Sequence, residues 1–171
     1  SDSARGIAEG AVLGLYQFTK YKASEVVDVD RLDIVVRDSA ILEPVRAAAE
    51  TGTVLADATN LSRDMTNEPA NFMTPTRMAD VAQELGAKYG FSVTVFDRAQ
   101  MEQMGMGGLL SVSQGSAESP KFIRLDYRGG ADGSTPLCLI GKAITFDSGG
   151  ISIKPSDFGG DAGLILKDRA S

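Results

Sequence analysis

The segment 142-KAITFDSGGISIK-154 sets two lysines around one aspartate. Lys142 lies five residues before Asp147, and Lys154 seven residues after it. The chain has no histidine and a single cysteine, Cys138. A Ser-His-Asp or Cys-His nucleophile therefore cannot be assembled from it, and neither can a histidine-ligated zinc site. Any chemistry falls to Asp, Glu, Lys, Arg, Ser and Tyr. Spacing alone leaves three readings of the bracketed carboxylate open. In the first, Asp147 is satisfied by Lys142 and Lys154 in a surface turn, an arrangement that contributes about 0–1 kcal/mol. In the second, the carboxylate bridges two divalent cations. A lysine beside a metal then gives up its proton and ligates as a neutral amine, while a second lysine keeps its charge and stabilises negative charge on a reacting carbonyl. In the third, an anion sits against Gly149-Gly150, where the absence of side chains lets the backbone come close.

The elements that must position this segment are legible in the pattern of apolar residues. Ala8, Ala11, Val12, Leu15 and Phe18 recur at helical spacing and predict a helix over residues 4–19. The run 31-RLDIVVRD-38 has a short apolar centre between charges and predicts a buried strand. A long helical pattern over about residues 40–65 carries Ile41, Val45, Ala48, Leu55, Ala58 and Leu61 on one face, with Gly52 weakening its middle. The prolines and asparagines of 66-TNEPANFMTP-75 predict an irregular loop and a domain boundary. Thr74-Pro75 reads as an N-cap with proline at the first helical position, and Gly90 as the stop. Residues 91-FSVTVFD-97 alternate as a strand does, and a short helix follows over about 98–104. The glycine-rich 105-GMGGLLSVSQGS-116 lacks the ending of a P-loop and reads as a turn or tight backbone packing. Strands are expected over 121–127 and 136–146, joined by the turn-rich 129–135. This order predicts an α/β fold with a mixed sheet flanked by helices. The segment around Asp147 follows a strand end, where sites of α/β sheets tend to lie.

The 171 residues suffice for one domain with a real core. With 43% hydrophobic and 23% charged residues, the composition is that of a folded soluble chain rather than a disordered one. No apolar run approaches the ~20 residues of a membrane span, and no leader-like pattern opens the sequence. A net charge of −6 argues against nucleic acid as a partner. Cys138 lies in the apolar run 137-LCLIG-141 and is expected to be buried and structural, in a reducing, cytoplasmic setting.

The segment 141-GKAITFDSGGISIKP-155 closely resembles the signature of leucyl aminopeptidases, the cytosol aminopeptidase family. The segments 60-NLSRDMTNEPANFMTP-75, 104-MGMGGLLSVSQGS-116 and 119-SPKFIRLDYRG-129 match in the same order, and 9-EGAVLGLYQFTKYK-22 resembles the helix that closes that family's first domain. The resemblance covers nearly the whole chain. It implies a cytoplasmic homohexameric aminopeptidase that releases unblocked N-terminal residues such as leucine from peptides, using two divalent metal ions, zinc or else manganese or magnesium. On it, Lys142 is the lysine ligand of one metal and Asp147 bridges both. Lys154 is the catalytic lysine on the substrate carbonyl. The family's next ligand aspartate stands in an Asp-Met-Gly-Gly-Ala-like segment, where this chain reads 156-SDFGGDAGLILKDRAS-171. Asp168 is the candidate for that ligand, a few residues late, with Asp157 and Asp161 as others. The Asn-Thr-Asp-Ala-Glu-Gly-Arg motif, which supplies further carboxylates and the arginine that holds a bicarbonate base, does not occur in these residues. The resemblance thus implies a partial two-domain architecture. Residues 1–38 end the N-terminal α/β domain, 39–64 form a connecting helix, and 65–171 begin the catalytic domain. A chain so composed is expected to be inactive alone. The alternative from another class is a non-catalytic fragment acting as an assembly or interaction module through exposed sheet edges.

Overall fold

The computed structural model describes residues 2–22 and 29–147. The chain divides into two compact units, Ser1–Glu68 and Pro69–Ser171.

In the first unit, helix α1 (Asp2–Gly14) lies against helix α2 (Leu42–Asn67). At 26 residues, α2 is about 39 Å long. Small residues make the seam. Ala4 and Ala8 of α1 and Gly52 and Ala56 of α2 are the buried residues, each pair four apart and so on one helical face. A Cβ at Gly52 would sit 2.4 Å from the carbonyl oxygen of Arg5, so the absence of a side chain is what admits α1 this closely. The hydroxyls of Thr51, Thr53, Thr59 and Thr66 each donate to the carbonyl four residues earlier. Helix α1 stops at Gly14, earlier than residue 19, and 15–22 continues without helix. A 3-10 turn (Ser39–Ile41) precedes α2, capped by the Asp38 carboxylate, which accepts the Ala40 amide at 2.9 Å.

The second unit opens with α3 (Pro75–Tyr89). The Thr74 hydroxyl accepts the Arg77 amide at 3.2 Å, Pro75 takes the first turn, and Gly90 closes the helix at φ 75°. Strand β1 (Ser92–Phe96) follows. Asp97 then starts α4 (Arg98–Gln103) with a capping box: its carboxylate accepts the Gln100 amide and the Gln100 side chain accepts the Asp97 amide, both at 2.9 Å. The glycine-rich stretch resolves into a turn at Gly105 and the short helix α5 (Gly107–Val112). Strand β2 (Phe122–Asp126) pairs antiparallel with β1, Val93 opposite Leu125 and Phe96 opposite Phe122, whose rings lie 5.5 Å apart. Gly86 of α3 brings the helix onto β1, where a Cβ would meet Val93 Cγ2 at 2.6 Å. Met101 is fully buried.

The α/β class stands, but the sheet among the described residues is the antiparallel pair alone. The strands expected over 31–38 and 136–146 enter no ladder there. Val35 is 87% exposed and Ile140 93%. An apolar run becomes a strand only when a neighbouring strand takes its amides and carbonyls; among the described residues no strand pairs with these runs, although Leu32 and Ile34 face α1 and α2 across a cavity. The same cause corrects the reading of Cys138, which is exposed rather than buried.

Candidate metal and substrate site

The site segment begins in the irregular stretch that follows residue 135. Lys142 is exposed and Asp147 half-buried. Lys154 and Asp168 lie outside the described residues, as do Asp157, Asp161 and Gly149-Gly150. Only the first two members of the sequence-derived set can therefore be placed. Among the described residues no three His, Cys, Asp or Glu side chains gather as a metal cluster would require. Two donors fall short of the four to six that divalent ions take, so Lys142 and Asp147 do not make a metal centre by themselves.

A cavity of about 270 Å³ opens in the first unit between α1, α2 and the 29–34 segment. Its lining is apolar except for Thr53, whose hydroxyl is already engaged with the Ala49 carbonyl, so it offers no group for chemistry.

Sequence reading did not anticipate a polar cluster at the C-terminal end of α2. Arg63 Nη1 donates to the Leu13 carbonyl at 3.0 Å and to Asn60 Oδ1 at 3.2 Å, while Asn60 Nδ2 reaches the Val12 carbonyl at 3.5 Å. These two side chains satisfy carbonyls that the end of α1 leaves open, and α1 has no basic residue of its own there. Tyr16 donates to Asp64 at 2.8 Å and accepts from Asn67 at 3.0 Å, with the Arg63 guanidinium 5.3 Å from its ring. Tyr21 donates to Glu68 at 2.6 Å, and Lys20 pairs with the other oxygen of the same carboxylate. The missed signal was the pairing of Tyr16, Lys20 and Tyr21 with Asp64 and Glu68, 47 and 48 residues away.

Burial and then the bond to Asp64 raise the Tyr16 pKa, against the opposing Asn67 bond. The bond to Glu68 raises those of Tyr21 and Lys20. All three favour the protonated form in the folded state. Their contribution is fully present below the unfolded tyrosine value of about 10 and is lost as pH rises through the raised values. The expected result is a late tyrosinate absorbance step, above that of free tyrosine, accompanied by loss of stability. The step should shrink in Tyr16→Phe and Tyr21→Phe. A titration in which neither variant changes the late step would contradict this.

With that geometry in place, the comparisons define the class. Residues 60–161, more than half of the chain, match the catalytic domain of the cytosol aminopeptidase family. A probable cytosol aminopeptidase of Alkaliphilus metalliredigens (strain QYMF) is 42% identical over 94% of this chain and 35% of that protein. One from Solibacter usitatus (strain Ellin6076) is 46% identical over 92% of this chain and 32% of that protein. A solved structure of the bottromycin maturation enzyme BotP superimposes with a TM-score of 0.69 at 37% identity, covering 95% of this chain and 34% of that one. BotP in complex with Mn gives 0.67 at 38% identity, over 90% and 30%. The chain belongs to the cytosol aminopeptidase family. It spans about a third of the length of the curated relatives it matches. The matched region takes in Lys142, Asp147 and Lys154, but not Asp168.

Proposed function

We propose that the protein to which these residues belong is a metal-dependent aminopeptidase that releases unblocked, leucine-type N-terminal residues from peptides. The observation that carries this reading is the family match running through 141-GKAITFDSGGISIKP-155. The manganese-bound state of a similar enzyme supports divalent cations, zinc or manganese or magnesium, as cofactors. A bound divalent cation would supply a water acidic enough to attack near neutral pH, in place of a histidine-activated nucleophile. In this reading Lys142, as a neutral amine, and Asp147, through its carboxylate, would hold the cations. Lys154 would keep its proton and stabilise charge on the carbonyl oxygen, Asp168 would add a further carboxylate, and bicarbonate would supply a base in the complete enzyme. Peptides are the substrates, the complete protein is a cytoplasmic homohexamer, and the acidic balance disfavours nucleic acid. No helix among the described residues is long and apolar enough to cross a membrane. The 171-residue chain alone is inactive, because deprotonating a lysine and holding a cation on few ligands costs free energy that a full donor set offsets.

The test is hydrolysis of a leucine chromogenic amide with added zinc or manganese. The whole protein should turn over the free-amine substrate, lose that activity to a chelator, and ignore the N-acetylated amide. The 171-residue chain should show nothing above its Asp147→Ala variant. Chelator-resistant turnover, or equal cleavage of the blocked amide, would remove the proposal. Metal-dependent turnover by the short chain would remove its inactivity only.

One observation favours a second reading for the isolated chain, an assembly module. Leu137 and Leu139 are each 86% exposed beside Ile140 on a segment that enters no ladder among the described residues. Light scattering against concentration decides it: mass that rises with concentration supports self-association, and a constant monomer mass excludes it.

A further inference from the structure

Helix α2 ends under unfavourable conditions. It has no basic residue in its last turn, and Glu68 leaves it in extended backbone at ψ 136°. Two carboxylates, Asp64 and Glu68, sit at the negative end of the helix dipole, where anions destabilise and cations stabilise. No glycine follows to close the turn in the left-handed conformation that commonly ends a helix. Left to itself, the turn that closes with the Glu68 amide on the Asp64 carbonyl at 3.0 Å should fray.

We infer that residues 16–21 form a strap that keeps this last turn wound, holding it through the Tyr16 hydroxyl on Asp64 and Asn67 and through Lys20 and Tyr21 on Glu68. The side-chain hydrogen bonds and the ion pair of the strap fall on Asp64, Asn67 and Glu68, the final turn and its cap, and they answer the defects above. The Tyr16 and Tyr21 hydroxyls donate to the two carboxylates. Lys20 brings to Glu68 the positive charge that the helix end lacks. The Glu68 side chain is 11% exposed and that of Lys20 57%, so the carboxylate is held at the helix end while the ammonium stays in contact with solvent. The strap is in turn stiffened from within. The Phe18 and Tyr21 rings lie 5.9 Å apart, and the Lys22 amide closes a turn on the Thr19 carbonyl at 2.9 Å. Glu68 is also the last residue of the first unit. The strap therefore sets the conformation of the residue at which the chain leaves that unit.

Amide hydrogen exchange on the full chain tests this, with Tyr16→Phe/Tyr21→Phe keeping both rings and removing both hydroxyls. Exchange at residues 65–68 should accelerate about tenfold, in line with hydrogen bonds to charged acceptors, while residues 45–58 of α2 keep their protection. Adding Asp64→Asn should restore part of the protection, because it removes one unbalanced carboxylate from the helix end. Unchanged exchange at 65–68 would overturn the strap, and so would a uniform acceleration along α2 while α1 keeps its protection, which would reduce its role to general packing. If the double variant loses protection throughout the first unit, Tyr21→Phe alone gives the same reading at Glu68, with the same two overturning results.

Discussion

Gly52→Ala should destabilise the first unit by about 2 kcal/mol or more, although the same change in an exposed helix interior stabilises by about 1 kcal/mol. The sign is reversed by distance. The added methyl would lie 2.4 Å from the Arg5 carbonyl oxygen and 3.2 Å from both the Arg5 carbonyl carbon and the Glu9 nitrogen. All three are backbone atoms, so no rotamer change relieves the clash and α1 itself must move. Moving α1 opens the Ala4, Ala8 and Ala56 seam, and overpacking of this kind costs about 1–3 kcal/mol beyond the propensity gained. Gly10→Ala serves as the counterpart. Gly10 is an exposed interior position of α1 whose Cβ would meet nothing within 4 Å, so this change should stabilise by up to about 1 kcal/mol. Urea denaturation of the two variants checks both values. Stabilisation by both would mean that the helices do not approach as closely as the structure has them.

Gly52 also marks where the sequence is readable and where it is not. Its propensity cost was visible as a weak point in the helical pattern. Its reason was not, because the atom that requires glycine belongs to Arg5, far away in sequence. The local signals carried well. Thr74-Pro75 with Gly90 fixed the bounds of α3, the alternation in 91–97 gave β1, and the strand expected over 121–127 is β2, since caps and period-two patterns act within a few residues. What failed was everything that depends on a distant partner. The apolar runs at Ile34 to Val36 and Leu137 to Ile140 have the composition of buried strands, yet they enter no ladder among the described residues; Ile34 and Val36 stay half-buried, while Leu137 to Ile140 are exposed and Cys138 with them. The end of α1 was misjudged for a related reason. Leu15 and Phe18 continue the helical spacing, but Tyr16, Lys20 and Tyr21 find better partners on α2 than another helical turn would provide. For the site, residue types and spacing isolated Lys142, Asp147 and Lys154 but left a salt-bridged turn and a metal centre both open, because spacing says nothing about which other donors converge in space.

Lys142→Arg separates those two readings by the largest effect expected anywhere in the molecule. In a salt-bridged turn, arginine replaces lysine without loss, since it keeps the charge and adds donors, and an exposed pair is in any case worth little. Lys142 is exposed, as such a turn would have it. As a metal ligand, lysine must lose its proton, and arginine cannot do so. Lys142→Arg should then be as damaging as Lys142→Met, lowering activity and cation affinity of the whole protein by at least about a hundredfold, given that loss of even an outer partner of a ligand costs roughly 10–100-fold. Asp147→Asn tests the carboxylate by the same logic. It keeps the shape, removes the negative charge, and should fail alongside both lysine variants. Metal content per chain, measured beside leucine amide hydrolysis, keeps the outcome readable where activity alone would not, because a variant with full metal and no turnover would place its residue on the substrate rather than on the cation. A fully active, metal-replete Lys142→Arg protein would return Lys142 to the role of a surface charge and leave the proposed chemistry without its amine ligand.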